Sequence, residues 1–253
     1  MKIDKVYIIT LDHSAENISK LVDKLDVITV PNRTTYEIIR GVNGRELLNT
    51  NEGRVNYGIR LYDKWNIGGD QWMWNRDVSS GEAGCTCSHI NIWEDVYKMG
   101  YENVLVLEDD FFTNGAFQWD SFSELDNYDW DLAYLSRLLQ SQLSDALNFK
   151  IYDTEVSLES WVKPGYSYQT HAYVLNKSGA AKLVEDHLPI LKNNIVTVDE
   201  FLPSTYTPHP REDIRNMYIQ NINAVAYRFD SMGQTRNLSL GGSLTEPAEG
   251  VDY

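Results

Sequence analysis

Three consecutive carboxylates, Glu108-Asp109-Asp110, follow the apolar run Val104-Leu105-Val106-Leu107. A run of that length is what a central strand buried on both faces requires. The acids therefore stand at a strand's carboxyl end, where ligands of open α/β sheets bind. If the extended geometry continues, Glu108 and Asp110 project to one side and Asp109 to the other. Packing three anions there is unfavourable unless a cation or solvent compensates. A hard divalent ion bridging the carboxylates and a diphosphate would do so, and Mn²⁺ or Mg²⁺ prefers such oxygen ligands. A solvated turn after a strand accounts for the same spacing equally well.

A second acid pair, Asp199-Glu200, follows Ile195-Val196-Thr197-Val198. One of these carboxylates could accept a hydroxyl proton as general base; the bland alternative is a pair of helix N-terminal acids favoured by the helix dipole. His89 and His171 are as open, since a half-buried, hydrogen-bonded histidine is commoner than a functional one. Cys85 and Cys87 are too few for a structural zinc site, and two small buried side chains is the plain reading. The chain contains no Walker A loop, Rossmann glycine triplet, nucleophile elbow or HExxH pattern, which disfavours P-loop kinases, nicotinamide enzymes and the commonest hydrolases.

The elements that must hold these residues alternate. Val6 to Leu11 is β-rich, Ser14 can cap a helix carrying Ile18, Leu21, Val22 and Leu25 at helical spacing, and Val27 to Val30 reads as a second strand. A β-α-β opening predicts an α/β fold with a mainly parallel sheet flanked by helices. Gly41 to Arg45 has turn chemistry. Residues 49–80 hold Tyr57, Tyr62, Trp65, Trp72 and Trp74 without a clean period, and read either as a loop packing its aromatics on the domain body or as a substrate-facing flap. Gly81 to Met99 is helical in pattern. Leu132 to Leu135, Ala172 to Leu175 and Ala224 to Phe229 are strand candidates, and Lys177 to Asp186 is a helix candidate. The expected organisation is one catalytic domain over residues 1–238 and a mobile tail over 239–253.

The chain has 253 residues, with 22 Lys+Arg against 37 Asp+Glu and a net charge of −15. That balance argues against nucleic acid and anionic membrane surfaces as partners. No stretch approaches the ~18 apolar residues of a spanning helix, and the N-terminus lacks the pattern of a secretory signal, so a soluble chain without membrane insertion is expected.

Five ordered strings carry a resemblance: GEAGCTCSHINIWEDV from Gly81, VLVLEDD from Val104, DWDLAYLSR from Asp129, YSYQTHAYVLNKSGAAKLV from Tyr166 and VDEFLPSTYTPHP from Val198. Together they resemble glycosyltransferase family 25, and the last three most resemble the C-terminal catalytic domain of its procollagen galactosyltransferases. The resemblance implies a GT-A type nucleotide-sugar-binding fold, a UDP-hexose donor and a divalent metal, usually Mn²⁺. It implies Glu108 and Asp110 as metal ligands, with Asp230 as a candidate third. Leu11, Asn43, Arg45, Glu82, Ser88, His89, Asp109, Thr170 and His171 would lie on the donor side, with Thr170 and His171 near the transferred sugar. Asp199 or Glu200 would orient or deprotonate the acceptor, and Arg236 is a candidate phosphate contact.

Two positions depart from the family pattern: Asp12 to Asn17 replaces an arginine-rich turn, and Asn43-Gly44 stands where Asp-Gly is usual. The implied reaction moves galactose or glucose to hydroxylysine or galactosylhydroxylysine of a collagen-like polypeptide. Transfer to a lipooligosaccharide or other glycan is the alternative, and a non-catalytic carbohydrate-binding module, with Tyr62, Trp65, Trp72 and Trp74 stacking on sugars, is the third. Animal members of the family act in the endoplasmic reticulum lumen, for which this chain shows neither entry nor retention signal.

Overall fold

The computed structural model describes residues 1–31, 34–49, 58–69, 74–113, 117–139, 152–229 and 232–234. Strand β1 (Lys5–Thr10) leads to helix α1 (Ala15–Ile28), whose N-terminus is capped by Ser14 Oγ accepting from the Asn17 backbone N–H. The predicted strand at Val27 to Val30 is corrected here. Ile28 continues the buried stripe of Leu21 and Leu25 at helical spacing, the helix runs through it, and Thr29 stops it in the left-handed region at φ 47°. The second strand, β2, is Thr35–Arg40. Helix α2 (Gly44–Asn49) and the long α3 (Ser80–Met99) follow.

Next come β3 (Asn103–Glu108), β4 (Phe111–Thr113), β5 (Leu132–Tyr134), β6 (Leu138–Leu139), β7 (Thr154–Glu155), β8 (Trp161–Lys163), β9 (Ser167–Tyr168) and β10 (Ala172–Asn176). Helix α4 (Lys177–Lys182) passes through a π turn at Leu183–His187 into α5 (Leu188–Leu191). Helices α6 (Val198–Ser204) and α7 (Glu212–Met217) precede β11 (Ala224–Tyr227) and β12 (Met232–Gln234).

The main sheet has the order β2-β1-β3-β10-β5-β11-β8-β7. β2, β1 and β3 are parallel, as are β5 and β11, while β10 and β8 run against their neighbours. The result is the predicted α/β architecture, a mostly co-directional sheet between helical layers, of the kind a GT-A type fold requires. Side-chain alternation along β3 divides the core. Val104 and Val106 join Ile90, Trp93 and Phe201 on one face, and Leu105 and Leu107 join Leu21, Ile28 and Trp161 on the other. All four β3 residues are fully buried, as a strand flanked by β1 and β10 must be.

Of the aromatic stretch at 49–80, Tyr62, Trp65 and Trp74 are buried against the domain body. They are therefore not available to stack on a sugar as a binding module would need. Tyr57 and Trp72 lie outside the described residues, as do Asp230, Arg236 and the expected tail at 239–253. Among the described residues, no helix is long and apolar enough to cross a membrane.

Candidate active site

The carboxyl end of β3 is enclosed by the N-terminal half of α3, the turn after β1 and the residues entering β10. Ser79 and Glu82 form a reciprocal capping box at the start of α3. Two glycines let the 41–45 turn lie directly on this helix. A Cβ at Gly84 would fall 2.4 Å from the Val42 carbonyl oxygen, and one at Gly44 would fall 1.6 Å from that of Ser80. Ser88 Oγ completes the joint, accepting from the Val42 N–H at 2.8 Å and donating to the Gly84 carbonyl at 2.8 Å.

The strand ends at Glu108 and Asp109-Asp110 form a turn, so the extended geometry does not continue, though Glu108 and Asp109 face different neighbours. Glu108 turns toward α3: its Oε1 accepts from Thr170 Oγ1 at 2.7 Å and lies 3.2 Å from His89 Nε2. His89 is fully buried, and its Nδ1 meets the Tyr173 hydroxyl at 2.9 Å. That hydroxyl accepts from Trp93 Nε1. With Tyr173 donating to Nδ1, the ring proton sits on Nε2 and points at Glu108. Asp109 faces the opposite layer, where Thr10 Oγ1 donates to its Oδ2 at 2.5 Å and Lys24 Nζ donates to its carbonyl at 2.8 Å. Asp110 occupies the turn before β4, and β12 pairs with β4 just beyond, with Gln234 opposite Phe111. Met232–Gln234 thus runs beside the strand that follows the acid turn.

Asp199 and Glu200 open α6 with different surroundings. Asp199 is partly exposed, and its Oδ1 lies 3.2 Å from the same Thr170 hydroxyl that bonds Glu108. Gln169, just before Thr170, holds the left-handed backbone at φ 73°, which a non-glycine residue rarely adopts. Burial and then the Glu108 charge push the Asp199 carboxyl up to about 7. Burial likewise raises the Glu108 carboxyl, but His89 and Thr170 outweigh it and hold the group below its ordinary value.

Glu200 is 3% exposed and saturated. Tyr168 Oη donates to its Oε1 at 2.6 Å, Trp74 Nε1 donates to Oε1 at 3.3 Å, His209 Nε2 lies 2.8 Å from Oε2, and the Tyr166 hydroxyl donates to Oε2. Burial opposes its ionisation, and His209 and the two tyrosines overcome that and lower its pKa. Trp74 is itself held by Arg211, whose guanidinium lies over the Trp65 and Trp74 rings and donates to the Lys64 and Trp65 carbonyls.

The other expected donor-side residues gather at the same end of the sheet, most with structural partners. The Glu82 carboxylate takes both Arg76 guanidinium nitrogens at 2.7 Å as well as the Ser79 N–H. Asn43 Oδ1 accepts from the Arg45 N–H as α2 begins, and both side chains are exposed. Leu11 is partly exposed directly after β1. His171 is fully buried, neither ring nitrogen has a hydrogen-bond partner among the described residues, and burial lowers its pKa to about 4, so its ring is neutral at pH 7.

The donor set suits a hard cation. Glu108, Asp110 and Asp199 bring carboxylates to one strand end, where burial and then the Glu108 charge raise the Asp199 carboxyl to about 7. A softer group sits among them: Cys85 Sγ, His89 and Glu108 place their ligand atoms within 4.8 Å of one another. Cys85 is partly exposed rather than buried as expected, while Cys87 is buried. This grouping was missed in the sequence, although Cys85 and His89 at i, i+4 on a helix were its signal. The donors around Glu200 were missed for a different reason, since Trp74, Tyr166, Tyr168 and His209 come from separate segments.

Residues 3–202 match the family described as "Glycosyltransferase family 25 (LPS biosynthesis protein)". A "Glycosyltransferase 25 family member" of Aedes aegypti is 31% identical over 90% of this chain and 35% of its own length. "Procollagen galactosyltransferase 1" of Danio rerio is 32% identical over 74% of this chain and 30% of its own. "Inactive glycosyltransferase 25 family member 3" of Homo sapiens is 31% identical over 84% and 33% respectively. The chain spans about a third of the length of these relatives.

Proposed function

The chain belongs to glycosyltransferase family 25, and on that premise we propose that it transfers a hexose from a UDP-hexose to hydroxylysine or galactosylhydroxylysine of a collagen-like polypeptide. The observation that carries this reading is the meeting of Glu108 and Asp199 on one hydroxyl, that of Thr170. In this reading Glu108 is the donor-side carboxylate and Asp199 the acceptor-side one. Relatives with "inactive" in their names make this local chemistry, rather than membership, the ground for proposing activity.

In this reading Glu108 and Asp110 hold a divalent cation, Mn²⁺ or Mg²⁺. When bound, the ion supplies electrostatic stabilisation of the departing diphosphate. Asp199 accepts the acceptor hydroxyl's proton. A pKa of about 7 suits that task, because a general base is most effective when its pKa lies near the working pH. Thr170 fixes the separation of the two carboxylates, and His89 orients Glu108. Glu200, with both oxygens occupied, positions Asp199 by anchoring the first turn of α6 and does not take the proton. Forming a β-galactoside from an α-linked donor inverts the anomeric carbon and needs this base in line; an α-glucoside retains configuration and does not.

The family's description as an LPS biosynthesis protein supports a second acceptor class, a lipooligosaccharide or other glycan. One experiment separates the readings: UDP-galactose, UDP-glucose and UDP-N-acetylhexosamines assayed against unmodified peptide, galactosylated hydroxylysine peptide and lipooligosaccharide, with the product linkage determined. Transfer to either hydroxylysine acceptor supports the proposal. Transfer to lipooligosaccharide alone, or UDP binding that ignores Mn²⁺, overturns it.

A further inference from the structure

Cys85 lies one helical turn before His89 on α3, and β3 carries Glu108 to the same face. The thiol, one imidazole nitrogen and one carboxylate oxygen lie within 4.8 Å of one another, with His89 Nε2 and Glu108 Oε1 3.2 Å apart. We propose that Cys85 Sγ, His89 Nε2 and Glu108 Oε1 form a binding site for a thiophilic divalent cation of the Zn²⁺ class. This site differs in ligand chemistry from the all-oxygen set at the acid turn.

Bonds of about 2.0–2.3 Å set the ligand atoms of a tetrahedral zinc ion about 3.3–3.7 Å apart. The three atoms therefore need to close by about an ångström, which rotation of the partly exposed Cys85 side chain can supply. Three protein ligands leave the fourth position to water, the composition of an open rather than a purely structural zinc site. When Nε2 ligates, the neutral ring carries its proton on Nδ1 and the bond to Tyr173 reverses: the Tyr173 oxygen, which also accepts from Trp93, accepts from Nδ1 and its own hydroxyl proton turns away. Binding replaces the thiol proton, so one proton leaves to solvent per ion bound.

The site stands on the geometry of α3 and β3 and is independent of sugar transfer. Only one consequence rests on the proposed function: Glu108 belongs to both donor sets, so an ion held here withdraws a ligand from the diphosphate clamp.

The test is Co²⁺ titration of the full chain without Mn²⁺, followed by optical spectroscopy. The expected result is a near-ultraviolet thiolate-to-metal charge-transfer band together with tetrahedral d–d bands, displaced by one equivalent of Zn²⁺. Cys85→Ser should abolish the charge-transfer band and weaken Zn²⁺ binding more than about tenfold, at least the loss that follows removal of an outer-shell partner. Cys87→Ser should change neither. A second measurement needs no variant: Zn²⁺, and not Mn²⁺, should protect Cys85 from alkylation, as located by peptide mass spectrometry. A Co²⁺ spectrum without the charge-transfer band, or alkylation unaffected by Zn²⁺, overturns the proposal.

Discussion

Asp199 and Glu200 are adjacent in sequence and opposite in circumstance. Four donors surround Glu200, whereas Asp199 has the shared Thr170 hydroxyl and a backbone contact from Gln169. Asp199→Asn should lower kcat by about 10²–10⁴-fold, the usual contribution of a positioned general base, and leave UDP affinity nearly unchanged; an equal loss in both would move Asp199 to the donor side. The same residue marks a pH effect on stability. Its folded pKa, raised to about 7 from 3.8, means that the native state holds the proton more tightly than the unfolded state, so its contribution is present at low pH and is lost as pH rises through 7. Without divalent cations, wild type should lose roughly 2–3 kcal/mol relative to Asp199→Asn between pH 5 and pH 8. Parallel urea-unfolding stabilities would show an ordinary carboxyl. Asp110→Asn should abolish activity at limiting Mn²⁺ while preserving the fold, since a strand-end carboxylate contributes little packing; unchanged turnover would remove it from the ligand set.

At the scale of elements, the joint between the 41–45 turn and α3 is backbone on backbone. Gly84→Ala sets a methyl 2.4 Å from the Val42 carbonyl oxygen and should cost about 1–3 kcal/mol, as overpacking does; a wild-type urea midpoint would show that the contact is not tight. The sequence displayed these elements unevenly. β3 and its acids were legible because a wholly apolar run of strand length that stops abruptly at charge suits a buried central strand and little else, and α3 was legible from Ile90, Trp93 and Val96 on one side and the stop at Gly100. The second strand was misplaced because Val27-Ile28 satisfies a strand and the last turn of a helix equally, and only packing against Leu21 and Leu25 decides. Glu200's role was hidden because its partners Trp74, Tyr166, Tyr168 and His209 converge only after the chain folds, and no local pattern encodes their meeting. Cys85 was overlooked because two cysteines are too few when cysteines alone are counted, whereas the third ligand arrives from β3.

For the whole molecule, a net charge of −15 acts beyond the site. If the acceptor is a Lys- and Arg-bearing collagen-like chain, its KM should rise several-fold between low salt and 0.15 M, where the Debye length is about 8 Å, while kcat changes little. A salt-independent KM would argue for a neutral or anionic glycan instead. The sheet order has a consequence in time as well as in space. β3 is flanked by β1, formed early in the chain, and by β10, which follows more than half of it. Glu108 takes its hydrogen bond from Thr170 and gives its backbone N–H to the His171 carbonyl, both at the entrance to β10. During synthesis the β2-β1-β3 unit can form as soon as residue 108 has emerged, but its acids remain unoriented until the reversed strand arrives. A nascent chain halted before residue 170 has the acid triplet and the helix beside it, yet lacks both Thr170 and Asp199, which meet Glu108 there in the folded chain. The acid turn is thus oriented late, when β10 docks, and Asp199 joins it later still, with α6.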